Sequence, residues 1–152
     1  MTTVFPSPAA LLDAAGTDLG ASDWLLVDQQ RIHRFADATD DHQWIHVDPE
    51  RAASGPFGAP VAHGYLSLSL LAPLMFDLLH VEACALVVNA GSDRVRFVSP
   101  VRAGSRVRAH ATLVGAERIP TGVRARTAVT LEIEGGDRPA LVAETLTVFV
   151  PA

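Results

Sequence analysis

The densest polar stretch of the chain is Asp40-Asp41-His42-Gln43-Trp44-Ile45-His46. A carboxylate and an imidazole held over one water can pass its proton between them, which is general acid–base chemistry near neutral pH. Three Asp-x4-His pairs occur: Asp28/His33, Asp37/His42 and Asp41/His46. Inside a helix five residues turn about 500°, so side chains at this spacing diverge. Asp28/His33 falls in a predicted helix, and Asp37/His42 straddles its end. Only Asp41/His46 lies wholly in predicted irregular chain, where functional residues concentrate. On spacing alone these groups read equally as solvated surface residues. The second candidate is Ala62-His63-Gly64-Tyr65, at the head of the most apolar segment. The first N–H groups of a helix have no intrahelical acceptor and favour an anion or a polarised oxygen. Gly64 permits close approach of a ligand atom. The same residues would also serve an ordinary buried helix start.

Other chemistries find no residues to carry them. The chain has no GxGxxG before a helix, no P-loop and no GxSxG. The six histidines show no HExxH spacing, and Cys84 has no CxxC partner. A metal, a covalent nucleophile and a disulfide framework are therefore not expected. A net charge of -5 argues against general nucleic-acid binding. All twelve cations are arginine, and ten of them lie after residue 50. The start, Met1-Thr-Thr-Val-Phe-Pro, lacks a basic and then apolar leader. The apolar run Tyr65–Leu79 is broken by Pro73 and Asp77, and falls short of the about 20 residues a bilayer needs. These features predict a cytoplasmic protein without a membrane segment. With 49% hydrophobic and 19% charged residues over 152 positions, one domain over 1–152 with its own core is expected.

The elements that must position the candidates follow from local patterns. A short helix is expected near Pro8–Ala15 and a short strand at Trp24–Val27. Asp28 reads as an N-cap, followed by Ile32, Phe35, Ala36 and Thr39 on one helical face. That helix should end near Thr39 or Asp40, and residues 40–48 should form a loop. Asp48, Pro49 and Glu50 start a second small helix that stops at Gly55. Residues 56–60 carry two prolines and a glycine and must be irregular. From Val61 to about Leu79 leucines surround the helical axis, which predicts a buried helix with a kink or break at Pro73. Strands are expected at Ala85–Asn89, Asp93–Ser99, Ser105–Arg118, Gly122–Glu134 and Ala140–Val150, joined in chain order as a meander. Val123, Ala125, Thr127, Val129, Leu131 and Ile133 alternate with polar residues, the pattern of a half-buried antiparallel strand. The predicted architecture is α+β: an antiparallel sheet wrapped around one hydrophobic helix.

The run from Phe35 through Asp41, His46 and Asp48-Pro-Glu-Arg-Ala-Ala53, followed by Phe57-Gly-Ala-Pro-Val-Ala-His63-Gly64, resembles the MaoC-like (R)-specific enoyl-CoA hydratases. Asn89-Ala-Gly-Ser-Asp-Arg94-Val-Arg96-Phe97 and Pro100-Val-Arg-Ala-Gly104 look like the strand region of the nodulation-protein-N-like branch. The resemblance covers roughly residues 24–150 and implies the hot-dog fold. It implies Asp41 and His46 as the catalytic pair and the Gly64 N–H as the oxyanion donor. His63, Tyr65, Arg94 and Arg96 are expected to contact substrate, the arginines at the CoA phosphates. The commoner family form has Gly before the Asp and Asn-Pro before the apolar-His pair; here Asp40, Gln43 and Trp44 stand instead. The implied reaction is reversible addition of water to a trans-2-enoyl-CoA giving the (R)-3-hydroxyacyl thioester, without metal or cofactor, in a homodimer. A hot-dog thioesterase and a non-catalytic acyl-CoA-binding protein are the alternatives.

Overall fold

Two aspartates start the helices on either side of the polar stretch. The Asp28 carboxylate accepts the Arg31 N–H at 2.8 Å and opens α1, Gln29–Thr39. The helix closes at Asp40, whose φ of 59° is the left-handed conformation that Asp tolerates better than most residues. The Asp48 carboxylate likewise accepts the Arg51 N–H at 3.0 Å, with Pro49 in the first helical position. The computed structural model describes residues 1–152.

The chain before α1 forms β1 (Thr3–Phe5), a 3-10 helix over Pro8–Asp13, β2 (Asp18–Ala21) and β3 (Leu25–Val27). Residues 40–48 are not simply a loop. Trp44–Val47 makes a single turn, α2, before α3 at Pro49–Ala53. That turn is pinned by its own Asp48 N–H to the Trp44 carbonyl and by burial of His46. Neither anchor has a periodic signature in four residues.

The apolar segment is broken, but not at Pro73. It forms α4 (Gly64–Ser69) and α5 (Leu71–Leu78), and the interruption falls at Leu70. Pro73 is the third residue of α5, where an N–H would have no acceptor within that helix. The proline therefore ends the preceding helix and starts a new one, rather than kinking a continuous rod. α5 runs directly into β4 (Leu79–Val81), which pairs in parallel with β1.

The main sheet contains β5 (Cys84–Phe97), β6 (Ser105–Ile119), β7 (Gly122–Ile133) and β8 (Leu141–Pro151). β6, β7 and β8 form the expected antiparallel meander, and β2 and β3 both pair with β6 at one edge. Two expectations about β5 are corrected. The segments Ala85–Asn89 and Asp93–Ser99 are one strand, because Asn-Ala-Gly-Ser is a bulge: the register shifts between Asn89 and Gly91, with Gly91 at φ 146°. The meander also fails at this strand, since β5 pairs with β8 at the opposite edge from β3. The chain between β5 and β6 crosses the start of α4. There Val101 accepts the Ala62 N–H at 2.7 Å, and Pro60 accepts the Ala103 N–H at 2.8 Å.

The inner face of the sheet meets Leu66 of α4, Leu70 at the break, and Leu71, Leu74 and Leu78 of α5 in one core of 25 buried residues. Ala109, Ala111, Ala125 and Ala143 line the sheet side and let the helices approach closely. Each fully buried leucine contributes about 1.5–3 kcal/mol of hydrophobic stabilisation. The antiparallel sheet folded around buried helices is the hot-dog arrangement. Its outer face carries cross-strand ion pairs, among them Arg108–Glu132 at 2.6 Å and Arg126–Glu144 at 2.8 Å. No helix is long and apolar enough to cross a membrane.

Candidate active site

The left-handed turn at Asp40 swings the chain out of α1 and sets Asp41 at the mouth of a polar cluster. Its other members arrive on α2, which carries His46, and at the cap of α4, which is His63. Polar atoms of Asp41, His46 and His63 lie within 4.8 Å of one another. Asp41 is exposed, whereas His46 is 7% and His63 2% exposed.

Hydrogen bonds decide which nitrogen of each imidazole is free. His46 Nδ1 lies 2.6 Å from the Val61 carbonyl oxygen. A carbonyl only accepts, so Nδ1 carries the proton, and neutral His46 keeps its lone pair on Nε2. His63 Nε2 lies 2.9 Å from the backbone carbonyl of Asp41 and must donate to it. Its Nδ1 is then the unprotonated nitrogen, buried and without a partner. Gln29, the first residue of α1, donates its amide to the His46 carbonyl at 2.7 Å and ties α2 to that helix.

The two rings stack, with centroids 3.8 Å apart and planes inclined by 21°, while Phe35 closes on the other flank of His63 at 4.9 Å. Burial pushes the His63 pKa below its ordinary value, and the neighbouring His46 adds to the shift. The Asp41 carbonyl and charge oppose the shift without reversing it, so the environment favours the neutral ring. The near-parallel planes also make a poor chelate. An ion about 2.0–2.1 Å from a nitrogen of each ring would have to lie in both planes at once.

Asp41 and His46 leave unspent the atoms needed to hold a water. Two polar atoms up to 4.8 Å apart can both bond a water placed about 2.8 Å from each. The Gly64 N–H, first in α4, has no acceptor within the helix. A side chain there would meet the Phe97 ring at 3.0 Å, so the missing Cβ keeps this approach open. The cluster can supply a base, an acid and a hydrogen-bond donor to a polarised oxygen.

The other expected site residues are placed differently. Tyr65 follows Gly64 and is 73% exposed. Arg96 lies opposite Val142 and Phe97 opposite the buried Leu141, so Phe97 faces the helices and Arg96 the outer side of the sheet. Arg94 is on that outer side too, 3.5 Å from Glu144. The structure thus brings together Asp41, His46, His63 and Gly64, and sets both arginines on the far face. His63, expected to contact substrate, is 2% exposed and packs against His46. Sequence reasoning missed Phe97, Gln29 and the Val61 carbonyl. No spacing signals them, because each reaches the site through a long-range contact.

Residues 11–134 match the family described as MaoC like domain. The 3-hydroxyacyl-thioester dehydratase Z of Mycobacterium tuberculosis is 50% identical over 147 residues, covering 96% of this chain and 97% of that protein. Nodulation protein N of Rhizobium leguminosarum bv. viciae is 48% identical over 141 residues, covering 88% and 85%. Among solved structures, the unliganded R-hydratase PhaJ1 of Pseudomonas aeruginosa superposes with a TM-score of 0.76 at 21% identity, over 96% of this chain and 86% of that one. This last likeness is one of fold.

Proposed function

The chain belongs to the MaoC-like dehydratase family, and on that premise we propose that it is an (R)-specific enoyl-CoA hydratase. The reaction is reversible addition of water across the α,β-double bond of a trans-2-enoyl thioester. The observation that carries this reading is the His46 tautomer in its cluster: Nδ1 is bound to the Val61 carbonyl, which leaves Nε2 the unprotonated nitrogen of a ring whose polar atoms come within 4.8 Å of the Asp41 carboxylate.

A water between Asp41 and His46 gives up a proton as its oxygen attacks the β-carbon. The α-carbon takes a proton from the same pair, so the two residues exchange roles between the directions. Negative charge gathers on the thioester oxygen, where the Gly64 N–H offers a donor in place. Water addition transfers no electrons, so the chemistry requires no redox cofactor. Tyr65 would flank the acyl group at the head of α4. Arg94 and Arg96 would meet CoA phosphates only at the outer rim of the sheet. Of the two, Arg96 is the freer, since its guanidinium has no acidic partner and donates to the Val95 carbonyl of its own strand.

A homodimer is part of this reading. β5 offers a 14-residue edge with no neighbour on one side, and Leu86, Val87, Val88 and Phe97 are exposed along it. Such an edge is a template for pairing unless covered. Light scattering of an active preparation should give twice the mass of the chain, and a strictly monomeric mass would remove this part of the proposal.

Crotonyl-CoA tests the reaction. Loss of enoyl absorbance without free thiol, and a product that is mainly (R) by chiral analysis, is the expected result. Free thiol without hydration would make the protein a thioesterase. Tight binding with neither change would make it an acyl-CoA-binding protein, which the complete Asp41/His46/Gly64 set disfavours.

A further inference from the structure

His63 is the most deeply buried ionisable side chain in the protein, yet one of its nitrogens has no partner. A phenyl or aliphatic group would fill that space without an orphaned polar atom, so packing alone does not account for a histidine. Its one side-chain hydrogen bond and its stacked face lead to the two residues assigned to proton transfer. Its Nε2–H holds the Asp41 carbonyl across 22 residues of sequence, and its ring face lies on His46 at 3.8 Å.

We propose that His63 is a positioning residue: a buried ring that tethers Asp41 by its N–H and backs His46 by its face, so that both meet the same water. The proposal rests on the reading of Asp41 and His46 as the hydrating pair. Asp41 stands on an exposed loop; its carboxylate receives a long 3.4 Å contact from the Gln43 N–H, and the neighbouring His42 is held to Asp37 only through its own ring, at 2.9 Å. Without the His63 tether its carboxylate would sample positions away from His46. The ring must also stay uncharged. The ionisable groups about it are Asp41, His42 and His46; α1 contributes the uncharged Phe35, and α4 brings no charge. A protonated His63 would set a cation face to face with His46 and place a new donor where no acceptor exists.

Two substitutions separate the two halves of the role. His63→Phe keeps a ring face and loses the N–H. His63→Gln keeps an N–H within reach and loses the ring. Each folded variant should lose about 10²-fold in kcat, the effect of an ångström-scale misplacement, while KM stays within about twofold. A raised KM with unchanged kcat would overturn the proposal in favour of substrate contact. Full kcat per folded molecule, with the deficit explained by the unfolded fraction, would overturn it in favour of a structural role. Nitrogen-15 NMR of uniformly labelled protein at pH 7, reading the histidine ring nitrogens and the Asp41 amide, gives a second readout. His63 should be neutral and protonated on Nε2, and the His46 and Asp41 signals should shift in both variants. A charged or Nδ1-protonated His63, or unshifted Asp41 and His46 signals, would refute the role. If the wild-type protein hydrates no enoyl thioester, the functional reading falls, and the NMR result alone still decides the positioning claim.

Discussion

Asp37/His42 and Asp41/His46 share one spacing and overlap in sequence, yet they are opposites in chemistry. His42 Nε2 contacts the Asp37 carboxylate at 2.9 Å, and both side chains are exposed. The hydrogen bond to Asp37 raises the His42 pKa, so this imidazole holds its proton more firmly than usual. In the second pair His46 is buried, its Nδ1 is occupied by Val61, and no direct bond joins it to the Asp41 carboxylate. The pair with the better mutual contact is the less useful one. Two ionisable groups that satisfy each other leave nothing for a third molecule. Groups held close but satisfied from behind leave their facing atoms free.

The largest effect is expected at the second pair. Asp41→Asn or His46→Asn should lower kcat by about 10²–10⁴-fold in an enoyl absorbance assay. The double variant should be little worse than the poorer single one, since the residues act as a unit. Asp37→Asn and His42→Asn should leave kcat within about twofold, the scatter of surface changes. Equal damage from the exposed pair, or a folded Asp41→Asn variant with near-full activity, would reverse the assignment.

Gly64→Ala sharpens the picture at the oxygen-binding end. The new methyl would press on Phe97 at 3.0 Å, and about a tenfold loss of kcat is expected from the displaced geometry. Phe97→Ala in the same background should recover most of the loss. No recovery would place the obstruction at the substrate rather than at the ring.

A smaller effect appears in stability against pH. The folded-state pKa of His63 lies below that of the unfolded chain. As pH falls below about 6.5 the unfolded state therefore binds a proton that the folded state refuses, and stability declines. Urea unfolding across this range should show stability rising with pH, with a shallower slope in His63→Phe. An unchanged slope would show that His63 titrates alike in both states. The smallest change concerns the outer pair: Asp37→Asn should move the His42 midpoint down towards its ordinary value by NMR, with activity unaltered.

Much of this arrangement is readable from local chemistry. Asp28 and Asp48-Pro49 mark helix starts because capping involves residues three apart. The β7 alternation marks its buried face because strand side chains alternate. The block from Asp41 to His46 and the His63-Gly64 step carry a family likeness in their spacing. What escaped depends on distant partners. α2 is one turn held by the burial of His46, and the helix break falls at Leu70 because Pro73 starts a helix better than it bends one. The edge position of β5 depends on a strand made much later in the chain. The resemblance points to Arg94 and Arg96 without showing their side of the sheet, which a bulge with Arg94 at φ 53° makes the outer face. The role of His63 rests on a tether of 22 residues, which no window of sequence displays.

The placement of β5 has a consequence for how the molecule comes into being. Cys84 pairs with Pro151 and Phe97 with Leu141, so this strand leaves the ribosome long before its partner exists. Until β8 arrives, its backbone groups and its run of Leu86, Val87 and Val88 are unpaired, a state prone to association with other chains. Pairings so distant in sequence also close slowly. Phe97, which walls Gly64, is fixed only by that final closure. The nascent chain can thus assemble the Asp41–His46 turn early but acquires the wall beside the Gly64 N–H only when β8 docks, and on the proposed reaction shortening β8 should abolish activity before it abolishes helix content.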